Sequence, residues 1–142
     1  VLDRYISRFA AKHEAQLFCE EKTVEQALQD YFCAVATCFT SKDTPAGCFM
    51  INTSATLAAS SKEIANTVKS RHAMQEETLS TFLAQRQQRG EIPAHCRPQE
   101  LAQYLSCILQ GMSISAREGA TLEKLQGITQ TTLRLWPELL KL

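Results

Sequence analysis

The chain has 142 residues, enough for one domain with a sizeable core, and its 44% hydrophobic and 21% charged shares sit near those of soluble globular domains. Its 15 Lys and Arg are balanced by 15 Asp and Glu, so it lacks the basic excess with which a surface clamps DNA by itself. No uncharged apolar run is long enough to span a membrane and no signal peptide opens the chain, which points to a cytoplasmic protein.

Apolar residues recur with a period near 3.6 and strict two-residue alternation is nearly absent. The expected fold is therefore all-α, with about six helices in an antiparallel bundle. The first runs from Val1 to about Phe18, with Leu2, Tyr5, Ile6, Phe9, His13 and Leu17 on one stripe. It opens in mid-helix, without a cap or an initiator Met, as a piece of a longer protein would. The second begins at Thr23, where Gln26 stands at capping-box spacing, and carries Val24, Ala27, Leu28, Tyr31, Val35, Cys38 and Phe39. Residues 41–46, with Lys42, Asp43 and Pro45, read as a loop. The third, Gly47 to about Ala59, is apolar on nearly every face and so is expected to be buried, leaving Asn52, Thr53 and Ser54 in need of partners or water inside.

The fourth helix is long, from about Ser61 to Arg89, and Gly90 ends it. Its stripe of Ile64, Val68, His72, Gln75, Leu79 and Phe82 is apolar apart from two polar members. The fifth starts with Pro98 in its first turn and stops at Gly119. It carries two apolar or small faces, one with Leu101, Leu105, Ile108 and Met112, the other with Ala102, Leu109, Ser113 and Ala116. The sixth runs from about Thr121 to Trp136 and is expected to stop at Pro137.

Nucleophilic catalysis needs a nucleophile beside an oriented base, and no such motif is present. The five glycines are scattered, so no phosphate loop exists, and Glu76 and Glu77 are adjacent and diverge around their helix. The chain is therefore expected not to be an enzyme and to use no cofactor. The six cysteines form no CxxC pair and most lie among apolar neighbours of helices, which favours reduced thiols serving as small core residues. His13 and His72 lie on apolar stripes of different helices. Each is either a core histidine bonded to a neighbour or a polar group in a pocket between helices, where Gln75 would join it. A metal site made by both histidines and a thiol has no close ligand spacing behind it.

The last two helices carry the stronger signal. Ser106, Gly111, Ser113 and Ala116 keep one face of the fifth helix small, and the sixth has a broad apolar arc. These faces either pack within the chain or meet a second copy as an intermolecular four-helix bundle.

Several segments together resemble the C-terminal regulatory domain of TetR-family transcriptional repressors. Val1 to Tyr5 is similar to the start of the long helix that follows the family's helix-turn-helix. Gly47-Cys48-Phe49-Met50-Ile51-Asn52-Thr53 resembles a Gly-Cys opening found in one branch. Gln88 to Ile92 resembles that branch's helix end, and Leu109-Gln110-Gly111-Met112 its penultimate helix. The resemblance covers nearly the whole chain. It implies that residues 1–142 are one regulatory domain that homodimerises through its last two helices and encloses a mostly apolar small-molecule effector. Operator DNA would be met only through an N-terminal domain upstream of residue 1. A ligand would then act allosterically, tilting the first helix and so changing the spacing of two recognition helices.

On this reading the residues expected near the cavity are Phe9, His13, Tyr31, Phe49, Met50, Asn52, His72, Gln75, Leu79 and Ile108. Those expected at the dimer seam are Leu109, Ser113, Ala116, Leu122, Leu125, Thr129, Leu133 and Trp136. The alternatives are a helical protein-interaction module without a ligand, or a metal or redox sensor using His13, His72 and thiols.

Overall fold

The computed structural model describes residues 11–41 and 62–142, apart from the side chains of residues 63–65, 67, 68 and 71. The helix expected over Gly47 to Ala59 lies outside the described residues, as do Phe9, Phe49, Met50 and Asn52. Residues 11–14 are helical and the chain then turns, so the first helix ends before Phe18. The reason is visible in its hydrogen bonds. Gln16 N donates to the His13 carbonyl at 3.1 Å and Leu17 N to that of Glu14 at 3.0 Å, the tight spacing of a closing turn.

Helix α1 (Val24–Phe39) begins at the capping box its sequence predicts. Gln26 N donates to the Thr23 hydroxyl at 3.1 Å, and Thr23 N donates to the Gln26 side-chain oxygen at 3.0 Å. Helix α2 is Lys62–Gln88, α3 is Pro98–Arg117 and α4 is Leu122–Leu139. Glycine ends both α2 and α3. Gly90 and Gly119 adopt φ of 82° and 99°, the left-handed region where a side chain is strained. That conformation lets Glu91 N reach the Arg86 carbonyl at 3.0 Å and Ala120 N the Ser115 carbonyl at 2.9 Å, closing a Schellman motif at each end. Helix α4 does not stop at Pro137, which sits inside it. Proline removes one donor, but within the last turn the ladder has few bonds left to lose, and Leu140 N still reaches the Trp136 carbonyl at 3.1 Å.

The helices do not pack simply in sequence order. Helix α2 lies chiefly on α3 and α1 on α4, with lesser contact between α1 and α3 and little between α3 and α4. Trp136 is fully buried among Leu28, Phe32, Leu105, Thr129 and Thr132, so one indole joins α1, α3 and α4. Its Nε1 has no hydrogen-bond partner among the described residues, and packing alone supports it.

A second, polar knot ties residues 15–23 to the end of α2. The Arg86 side chain is only 4% exposed. Its guanidinium donates to the carbonyls of Cys19 and Lys22, meets the Glu91 carboxylate at 3.0 Å and lies 5.3 Å from the centre of the Phe82 ring. Phe82 in turn meets Phe18 edge to face at 6.2 Å. Around it, Arg89 donates to the Glu20 carbonyl at 3.2 Å and Lys22 pairs with Asp30 of α1 at 2.6 Å.

Replacing Arg86 by Met should destabilise the domain by about 2–4 kcal/mol, since two carbonyls lose their charged donor and Glu91 loses one of its two cations, Arg89 remaining at 3.3 Å. Glu91→Gln, which keeps the carbonyl contacts, should cause the smaller loss. Urea unfolding of the two variants measures both, and equal losses would mean that the carboxylate, not the carbonyls, carries the knot.

Candidate functional site

A ligand enclosed by helices needs a mostly apolar wall and a few fixed polar groups. The described residues provide such groups where Gln75 of α2 reaches Tyr31 of α1. Tyr31 of α1 is 2% exposed, and Gln75 Nε2 of α2 donates to its hydroxyl at 3.3 Å. His72 precedes Gln75 by one helical turn and so shares its face of α2. The His72 Nε2 atom is buried and has no hydrogen-bond partner among the described residues. Leu79, a further turn along, is fully buried, and His13 is 8% exposed. Ile108 of α3 is half-buried and packs against the hydrophobic core.

The structure thus joins Tyr31 and Gln75 directly and places His72 beside them on α2. Both imidazoles titrate below the ordinary histidine value of 6.5. Burial is the cause for His72, and burial followed by the nearby positive charge of Lys12 for His13. Both are therefore neutral at pH 7, each with one ring nitrogen able to donate and the other to accept.

Most of the eight residues expected at a seam are buried in the single chain. Leu109, Ser113, Ala116, Leu125, Thr129 and Trp136 are all buried within the single chain, while Leu122 and Leu133 are half-buried. Both predicted faces of the fifth helix, now α3, are covered by the chain's own α2 and α1, and the apolar arc of α4 is covered by α1. What remains outside is a different stripe on each helix. On α3 it holds Tyr104, Cys107, Gly111 and Ile114, and on α4 Gly127, Thr131 and Leu135, all exposed. A Cβ built on Gly111 or Gly127 meets no heavy atom within 4 Å.

One feature lacked any sequence signal. A half-open groove of about 420 Å³ lies between Leu101 and Tyr104 of α3 and Leu139 and Leu142 at the chain's end. Beside it, the Cys96 thiol donates to the Leu140 carbonyl at 3.2 Å and His95 Nε2 approaches the same oxygen at 2.9 Å, so two side chains serve the last turn of α4. Burial raises the Cys96 thiol above its ordinary value. The five described cysteines are free thiols, but only Cys96 is buried and Cys107 is exposed. The described residues contain no group of three or more His, Cys, Asp or Glu placed to hold a metal ion, and no helix long and apolar enough to cross a membrane.

Comparison with known proteins adds three findings. A sequence profile of the tetracyclin repressor-like, C-terminal domain matches residues 23–131. The chain is 74% identical over 141 residues to the HTH-type transcriptional repressor ComR of Escherichia coli strain K12, spanning 99% of this chain and 67% of that protein. The fold is that of the TetR-family transcriptional regulator CifR, solved as cysteine mutants with 26-bp double-strand operator DNA. Two such structures superpose with TM-scores of 0.84 and 0.86 at 19% and 17% identity, covering 96% and 94% of this chain and 71% and 69% of theirs.

Neutral buried histidines make stability depend on pH with a definite sign. As pH falls below 6.5, the unfolded chain takes up protons that the folded chain refuses, so the folded state loses stability. The urea midpoint should therefore fall from pH 7.5 to pH 5.5, and His72→Gln should flatten that decline. A slope unchanged in the variant would remove His72 from the account.

Proposed function

The chain belongs to the TetR family, as a tetracyclin repressor-like C-terminal domain, and from that premise we propose that it binds a small-molecule effector and homodimerises to control operator binding by an N-terminal helix-turn-helix. The observation that carries this reading is the 74% identity to a transcriptional repressor across 99% of the chain. The chain spans 67% of that relative's length, and on this proposal it leaves DNA contact to a helix-turn-helix outside residues 1–142. Its zero net charge agrees with such a division of labour.

The effector reading draws its support from the neutral polar groups of Tyr31, His72 and Gln75 at the meeting of α1 and α2. The dimer reading draws its support from the outward stripes of α3 and α4. Tyr104, Ile114 and Leu135 are 39%, 46% and 45% exposed, large side chains left in water by a chain that covers its other apolar faces. Gly111 and Gly127 keep both helices narrow along these stripes, which suits close approach of a second pair across a two-fold axis. We place the seam there.

A second reading, metal sensing, is favoured by one observation. A neutral imidazole with a buried, unpartnered Nε2, as in His72, is the form that ligates a metal ion. Zinc titration of protein purified without chelator, set beside His72→Ala, tests it, and stoichiometric binding lost in the variant would establish it.

The seam is tested by size measurement. Gly111→Arg combined with Ile114→Glu should weaken the dimer by about ten-fold or more while leaving the helical spectrum of the monomer intact. Leu109→Glu should instead unfold or aggregate, because Leu109 is 1% exposed inside one chain. A double variant that dimerises as tightly as the parent would move the seam elsewhere.

A further inference from the structure

We infer that residues 16–22 move as one body with the end of α2 rather than with α1, to which they are joined in sequence, and that the Lys22–Asp30 ion pair is a latch across the hinge between them. As a statement about regulation this rests on the reading above, in which DNA contact lies outside residues 1–142. As a statement about the bundle it stands on two sets of contacts of unequal strength.

The stronger set runs to α2. The buried Arg86 guanidinium donates to the carbonyls of Cys19 and Lys22, and Arg89 donates to the Glu20 carbonyl at 3.2 Å. The Phe18 ring meets Phe82 edge to face at 6.2 Å. One helix end therefore grips three carbonyls within four residues, and a backbone carbonyl cannot turn away as a side chain can. Bonds from a charged donor held out of water are among the stronger hydrogen bonds. Arg86 also meets Glu91 at 3.0 Å, and Glu91 N closes on the Arg86 carbonyl at 3.0 Å, so the clasp is built into the cap of α2 itself.

The tie to α1 is of another kind. Lys22 Nζ meets Asp30 at 2.6 Å, with side chains 28% and 47% exposed, and a pair so open to water contributes little and is screened by salt. The same ammonium donates to the Gln16 side-chain oxygen at 3.2 Å, so it stays occupied when Asp30 leaves. Helix α1 begins at Thr23 with a capping box that satisfies its first N–H groups locally, and it needs nothing from residues 16–22 to hold that start. Because α1 packs chiefly on α4 and α2 on α3, a change in how α1 and α2 stand to each other bears on the joint that connects them. The joint yields at its weaker side. Residues 16–22, with the helical residues 11–14 before them, stay with α2 while α1 pivots about Thr23. On the regulatory reading, a DNA-binding part beyond residue 1 then follows the end of α2.

Native-state amide exchange of this chain, resolved residue by residue, tests the joint. Arg86→Lys, which cannot span both carbonyls, should speed exchange at Gln16, Leu17 and Lys22 by about ten-fold beyond any change at Leu105 and Leu109 of α3, which report unfolding of the whole domain. Arg89→Gln, which removes only the outer part of the clasp, should speed the same three amides by about three-fold and serves if the first variant does not fold. Asp30→Asn, or NaCl raised to about 0.5 M, should change them by less than about two-fold. Thr23→Ala should speed Gln26 and Ala27 at the start of α1 and spare residues 16–22. Asp30→Asn or Thr23→Ala loosening residues 16–22 as much as the arginine variants do would assign the turn to α1. Arginine variants that speed the turn no more than α3 would show no joint at all. Either result overturns the inference and leaves effector binding and dimerisation to be judged by their own tests.

Discussion

A guanidinium with almost no contact with water sits where the N-terminal segment ends and α2 stops. Arg86 takes the carbonyls of Cys19 and Lys22, the Glu91 carboxylate and the face of Phe82 together. Those carbonyls belong to a turn outside the helices, where the Cys19 carbonyl otherwise accepts only from Lys22 N at 3.3 Å among the described backbone groups. Because Arg has a planar fork of donors, it serves two carbonyls and a carboxylate that a lysine could not span. The turn is thereby held to α2, Lys22 holds it to α1 through Asp30, and the orientation of His13 and Leu17 follows from where that turn is fixed.

Helix existence was legible in the residues because its signals are local. Thr23 with Gln26 announced the start of α1, and Gly90 and Gly119 announced two ends, each through chemistry that acts within five residues. Pro137 misled because a proline in a final turn removes little, whereas the same residue in mid-helix would have broken it. Tyr31 and Gln75 each lay on an apolar stripe, but that they meet through one hydrogen bond was not legible, because their helices pack chiefly on other helices. Arg86 was invisible too. Its partners are 64 and 67 residues away in sequence, and a basic residue near a helix end reads as solvated.

The stripes of α3 and α4 show what periodicity omits. A stripe of apolar residues says that a face is covered but not by what. Here α3 has two covered faces, one for each of its intrachain neighbours, and α4 gives its richest arc to α1. Both faces had to be filled before the chain could fold, so the residues with the strongest hydrophobic signal were the ones claimed inside. What is left facing water is the weaker stripe, with glycines, a threonine and a few large side chains.

In α4 the hydroxyls of Thr129, Thr131 and Thr132 each donate to the carbonyl four residues back, at 3.1, 3.0 and 2.9 Å. Each alcohol is thus consumed by its own backbone, and what the side chain still offers outward is a methyl group. A hydropathy scale scores these positions as polar, yet to an approaching helix they are closer to valine, with slightly loosened carbonyls beneath them. Such carbonyls let a helix arch. Helix α4 can therefore be greasier and more supple than its letters suggest, two qualities useful to a strut whose buried face must fit the curve of its own bundle.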